Sequence, residues 1–113
     1  MEPRLSTEEA KAVIATKTAP RVTEDGIRAK MRSVCYERPF AEHPQLTLCA
    51  ITMDNGFVVI GKSAPASPEN FDQEVGRRYA FDDAFKQLWQ FEGYLLREKL
   101  QEQGACGGPS SVA

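Results

Sequence analysis

Leu46-Thr47-Leu48-Cys49-Ala50-Ile51-Thr52-Met53, then Asp54-Asn55-Gly56, then Phe57-Val58-Val59-Ile60-Gly61 is the stretch on which the fold turns. Two runs rich in β-branched and apolar residues flank an Asn-Gly, the dipeptide that most readily takes the left-handed backbone of a tight hairpin turn. The reading is an antiparallel β-hairpin with strands over 46–53 and 57–61. Just upstream, Tyr36-Glu37-Arg38-Pro39-Phe40-Ala41-Glu42-His43-Pro44 has two prolines and no sustained period, which predicts a loop. Before it, Thr23 is a suitable N-cap for a helix through Ile27, Met31 and Val34, whose spacing puts all three on one face and which ends near Cys35. At the start of the chain Ser6-Thr7-Glu8-Glu9 has the form of a capping box, opening a short helix that runs to about Lys17 and is closed by Pro20.

Downstream of the hairpin, Ser67 as N-cap and Pro68 at the first helical position open a long helix. Its apolar residues fall near helical spacing, from Phe71, Val75 and Tyr79 through Phe81, Phe85, Leu88 and Trp89 to Leu95, Leu96 and Leu100. Gly76, Gly93 or a second cap at Asp82 are the places for a kink. Gly107-Gly108-Pro109-Ser110-Ser111 has the composition of a flexible tail. The expected architecture is a mainly helical α+β fold: short N-terminal helices, one antiparallel β-hairpin and a long kinked C-terminal helix. Residues 1–20 form an extension, 21–102 a single domain, and 103–113 the tail. Seven of the ten aromatics lie between Phe71 and Tyr94, more apolar surface than one hairpin and a short helix can cover, which predicts an oligomer.

Composition narrows the function classes. With 113 residues, 42% of them apolar and 27% charged, the chain fits one small soluble domain. It carries no run of about 18 apolar residues and no signal-peptide pattern at the N-terminus, so a cytoplasmic protein is expected. Fourteen Lys and Arg against sixteen Asp and Glu leave a net charge of −2, which argues against gripping DNA by bulk electrostatics. Three cysteines, Cys35, Cys49 and Cys106, with no CxxC pair fit neither a disulfide framework nor a zinc site and read as reduced thiols. His43 is the sole histidine, a poor basis for a metal site or a catalytic triad. No Walker loop, GxGxxG, HExxH or GxSxG occurs, so nothing marks an enzyme. Asp82 and Asp83 are adjacent on a helix and point about 100° apart, which suits capping or solvation better than a metal or general-base site.

Two sets of residues suit phosphate and base recognition. Tyr36 and Phe40, with Arg38 between them on the two-proline loop, form an arrangement that stacks on bases and pairs with phosphate. The plainer reading is that such aromatics seal the edge of a core. Arg77, Arg78 and Lys86 on the long helix are suited to phosphate oxygens, the alternative being an ordinary solvated face.

Asn55-Gly56-Phe57, Gly61-Lys62-Ser63-Ala64, Pro68-Glu69-Asn70-Phe71, Leu88-Trp89 and Glu92-Gly93-Tyr94-Leu95-Leu96, in that order and spacing, resemble a family of small tailed-phage proteins that includes the anti-CBASS cyclic-oligonucleotide sponges. The resemblance spans about residues 21–102. It implies a compact homohexamer that binds the cyclic nucleotide signals of bacterial antiviral defence, of the cyclic GMP-AMP and cyclic tri-AMP class, and withholds them from their effectors. It implies no cofactor, no bond broken, no DNA or membrane partner, and a location in the cytoplasm of the infected host. By the resemblance Tyr36 matches a tyrosine that stacks on a base of a cyclic dinucleotide, with Arg38 and Phe40 beside it. Gln45 stands where a basic residue is expected just before the strand, a departure that Arg38 or His43 is placed to offset. Thr47 and Lys86 match the threonine and the helix basic residue of a separate cyclic trinucleotide site, Lys replacing an Arg that would grip phosphate with two parallel bonds.

Symmetry makes the same pairing of ligands and assembly reasonable on physical grounds. A cyclic dinucleotide has near-twofold symmetry and a cyclic trinucleotide threefold, so a hexamer with both axes has a place for each. Two alternatives belong to other classes. One is a phage protein that binds a host protein through its helical surface with no nucleotide ligand, which Gln45 favours. The other is a phosphodiesterase using Asp82 and Asp83 with a metal.

Overall fold

A computed structural model describes residues 3–16 and 19–104. Helix α1 (Thr7–Ala15) and helix α2 (Glu24–Ala29) precede strands β1 (Met31–Glu37), β2 (Thr47–Met53) and β3 (Val58–Ser63), and helix α3 (Gln73–Gly104) is the last element among the described residues. The expected α+β class is what the structure shows. The strands form one antiparallel sheet in the order β1-β2-β3, and α3 lies across one face of it.

The hairpin forms as its sequence dictates. Gly56 takes the left-handed conformation at φ 91°, the Asn55 side chain accepts the Phe57 N–H at 2.9 Å, and Met53 N–H meets Phe57 C=O at 2.8 Å. On β2, Thr47, Cys49, Ile51 and Met53 are buried and face α3, while Leu48, Ala50 and Thr52 face the other way. Ile27, Val59, Ala80, Phe81, Ala84, Phe85 and Leu88 complete the core. Close approach of helix and sheet depends on Gly61, because a Cβ there would overlap the backbone of Ala80 and Ala84.

Two expectations are corrected. The helix opened by Thr23 does not run on to Cys35: it ends at Ala29, and residues 31–37 form a third strand. The spacing of Met31 and Val34 that suggests a helix comes from a register irregularity between Met31 and Ser33, beyond which Val34 and Tyr36 alternate inward as in any half-buried strand. Pairing decides it, since without β1 the buried central strand would leave a row of backbone groups unbonded. Tyr36 therefore sits on a strand opposite Cys49, not on a loop. The second correction concerns the start of α3. Pro68–Asn70 form a single 3₁₀ turn, Ser67 makes no side-chain cap bond, and Phe71 is extended. The helix begins instead at Gln73, where Asp72 Oδ1 accepts the N–H groups of Glu74 and Val75, each at 3.0 Å.

The N-terminal capping box is present, with Ser6 N–H donating to Glu9 at 2.8 Å and Glu9 N–H to Ser6 Oγ at 3.1 Å. The expected end of that helix at Lys17, the thiol of Cys106, and the tail from 105 on lie outside the described residues. Helix α3 runs unbroken for 32 residues, about 48 Å at 1.5 Å per residue, roughly twice the length of the strands it crosses. Its buried positions run from Gly76 to Leu88. Beyond them, Trp89, Phe91, Tyr94 and Leu95 are exposed, Tyr94 to 69%. No helix among the described residues is long and apolar enough to cross a membrane.

Candidate anion-binding site

Where the first turns of α3 cross the rim of the sheet, arginines and aromatic rings alternate. Arg77 holds its guanidinium carbon 5.5 Å from the centre of the Tyr36 ring. Arg78 lies 5.4 Å from Phe81, and Arg28, reaching from α2, lies 5.5 Å from Phe81 and 5.1 Å from Phe85. Beyond Tyr36 on the same side of β1, Arg38 lies 5.1 Å from Phe71. Arg28, Tyr36, Glu74, Arg77, Arg78 and Phe81 line an open depression of about 450 Å³, within the usual range for small-molecule sites.

The four arginines are not electrostatically equivalent. Arg28 pairs with Glu24 at 3.0 Å, and Arg78 pairs with Asp82. Arg38 donates to the Pro44 carbonyl at 3.3 Å. Among the described residues no carboxylate pairs with Arg77 or Arg38. Stacking on an aromatic face leaves the edges of a guanidinium, which carry its five N–H donors, open to an incoming anion. Arg77 over Tyr36 is thus a prepared positive charge without an ion-pair partner in a concave place, which the Glu74 carboxylate also lines.

Burial, together with the neighbouring Cys49 sulfur, pushes the Tyr36 hydroxyl above the usual phenol range. Burial likewise pushes the Cys49 thiol up to about 11. Both groups are neutral at physiological pH, so neither adds negative charge beneath the arginines.

The structure places the remaining expected residues unevenly. Tyr36 and Arg38 share one side of β1 and its continuation, two residues apart. Phe40 is exposed and makes its ring contact edge-on with His43, at 6.4 Å. Gln45 has a buried side-chain carbonyl without a hydrogen-bond partner. Thr47 is only 2% exposed, and its hydroxyl, also without a partner, sits against Gly76. Lys86 is exposed on α3, ten residues beyond Gly76 and so about 15 Å along the helix. One chain does not bring Thr47 and Lys86 together. Asp82 is engaged by Arg78, and Asp83 accepts the Lys62 N–H at 2.9 Å. Arg28, Phe71, Phe81 and Phe85 belong to the arginine and aromatic stripe and were not singled out as site residues in the sequence. Their only signal was residue type, because α2 reaches α3 through tertiary packing.

This is a small two-layer α+β protein with an arginine- and ring-lined depression on its helix side. Residues 22–100 match the model of the phage protein (N4 Gp49/phage Sf6 gene 66) family, and the chain belongs to that family. No curated protein and no solved structure matches the chain.

Proposed function

We propose that this phage protein binds and sequesters cyclic oligonucleotide second messengers of the bacterial CBASS system, cyclic dinucleotides or cyclic trinucleotides, without cleaving them, in the cytoplasm of the infected host. The observation that carries the reading is Arg77 stacked on Tyr36 with no carboxylate partner, flanked by Arg38 on Phe71. A cyclic nucleotide offers phosphate to the guanidinium edges and a base to the rings, which is what such a stripe suits. Sequestration is energetically sufficient: roughly 45 heavy atoms at about −0.3 kcal/mol each reach nanomolar affinity. By this reading the working form is a homohexamer, in which separate protomers supply what one chain keeps apart, Thr47 from Lys86.

The test mixes purified protein with cyclic GMP-AMP and cyclic tri-AMP, removes the protein by ultrafiltration, digests it, and chromatographs the filtrate and the released fraction. Depletion from the filtrate with intact recovery after digestion is the expected result. Both nucleotides left free and intact would overturn the proposal, and linear products would point to cleavage.

A second reading rests on a different observation. Trp89 and Tyr94 stand exposed on α3 beyond its buried stretch, beside Phe91, which is half exposed and meets the Phe57 ring edge-on at 5.1 Å, a surface suited to a host protein in place of a nucleotide. Retention of one stoichiometric host protein, abolished by Tyr94→Ala and not by Arg77→Ala, distinguishes it.

A further inference from the structure

The sheet has two faces, and the described residues cover one of them with a helix. Helix α3 packs on the side of Cys49 and Ile51, whereas among the described residues no helix packs on the side of Leu48, Ala50 and Thr52. That outer face is ordered in three rows by the strand register. Ser33, Thr52 and Val58 form the first, Cys35, Ala50 and Ile60 the second, and Glu37, Leu48 and Lys62 the third. Val58 is 46% and Ile60 50% exposed. The charged residues of these rows, Glu37 and Lys62, stand at opposite edges of the third and have no ion-pair partner among the described residues, and Arg32 is exposed in the β1 irregularity beside the first row.

We propose that this outer face is the interface between two copies of the chain, packed sheet on sheet about a two-fold axis running along β2. The inference stands apart from the nucleotide reading. The pairing of Glu37 with Lys62 defines the axis. With the axis along β2, each copy's β1 lies over the other's β3 and the rows stay in register, so Glu37 meets Lys62 twice at the rim while Ile60 covers Cys35 and Leu48 meets its own copy. An axis across the strands reverses the rows, brings Glu37 toward the Ser33 and Arg32 end of β1, and sets Lys62 over Val58, where that charge meets apolar surface. Face-to-face sheets lie about 10 Å apart with strands about 30° from aligned, a gap that Leu, Ile and Val side chains fill and that Glu and Lys span.

Side-by-side pairing at β3 is blocked. The Lys62 N–H is taken by Asp83 at 2.9 Å, and the Ile60 carbonyl by Gln87 at 2.6 Å, so that edge is already closed by α3. The remaining edge, β1, would give a dimer indifferent to Lys62.

Sedimentation velocity over a range of protein concentrations tests the proposal on the parent, Ile60→Asp, Lys62→Glu, Glu37→Lys and the double exchange Glu37→Lys with Lys62→Glu, with circular dichroism confirming that each is folded. All three positions are exposed, so the single chain tolerates the changes. The single variants are expected to weaken the two-fold association about tenfold or more, and the double exchange to return it to within about threefold of the parent. A parent that stays monomeric throughout, an association unmoved by Ile60→Asp, or a double exchange as weak as the single charge reversals would overturn it.

Discussion

Gly61→Ala and Gly93→Ala are the same chemical change with opposite expected signs. Gly61 faces α3 where the helix lies closest to the sheet. A Cβ there would overlap the Ala80 carbonyl and the Ala84 backbone, with the Ala84 Cα only 2.9 Å away. Ordinary carbon contacts lie near 3.5–4.0 Å, so α3 would have to lift by at least about 0.6 Å at that atom. The obstacle is backbone on both sides and cannot swing aside. Lifting also strains the bonds by which Asp83 and Gln87 hold the β3 backbone, at 2.9 and 2.6 Å. Overpacking of this kind typically costs 1–3 kcal/mol, and with two strained hydrogen bonds about 3 kcal/mol is expected. Gly93 is a mid-helix residue with nothing within 4 Å of its would-be Cβ. Alanine there should stabilise by about 0.5–1 kcal/mol, through helix propensity alone. Urea unfolding followed by circular dichroism, at one protein concentration, measures both. A Gly61→Ala protein within about 0.5 kcal/mol of the parent would refute the packing of α3 on β3 described above.

Further predictions concern the buried polar groups and the stripe. Thr47→Val replaces a partnerless buried hydroxyl with a methyl of similar shape and should raise stability by about 1 kcal/mol in the same assay, whereas a loss would mean that the hydroxyl has a partner. The folded-state pKa of Cys49 is raised from 9.0 to about 11, so its contribution is intact below pH 9 and is lost as pH climbs through 11, at up to about 1.4 kcal/mol per pH unit. Tyr36 shifts in the same direction, and a Cys49→Ala protein should show a shallower decline between pH 9 and 11. Arg77→Ala should weaken cyclic nucleotide binding about 10- to 100-fold by isothermal titration, the value of a charge-assisted hydrogen bond, and Arg78→Ala, whose guanidinium is already paired with Asp82, by less. Equal effects would remove the distinction drawn between them.

Much of the fold was legible because local signals agreed with the tertiary result. Asn55-Gly56 between β-rich runs, the Ser6 and Glu9 box, and the apolar spacing around Phe81, Phe85 and Leu88 each specify an element without help from distant residues. Strand β1 was not legible. Its inward positions, Val34 and Tyr36, are too few to display a period, the irregularity at Met31 mimics a helical step, and the strand exists because β2 needs a second neighbour. The site suffered from the same gap. Tyr36, Arg38, Arg77 and Arg78 were visible as residue types, but the stacking of Arg77 on Tyr36 needs β1 to be a strand and α3 to begin at Gln73. Thr47 reads as a polar strand residue, and its burial against Gly76 appears only when helix and sheet meet.

The two proposals place their surfaces on opposite sides of the sheet, and that separation has a measurable consequence. Tyr36, Arg77 and Arg38 lie on the α3 side, while Glu37, Ile60 and Lys62 lie on the outer face. Stacking two copies through their outer faces therefore turns the two depressions away from each other, with two sheets and about 10 Å between successive layers separating them. No cyclic dinucleotide spans that distance, so the two sites in such a pair act independently. The Lys62→Glu protein should then bind nucleotide with the parent's affinity and stoichiometry per chain, even where its two-fold association is lost. If Lys62→Glu abolishes binding while the chain stays folded, the ligand site is shared across the outer face, and the assignment of that site to the Tyr36 depression fails.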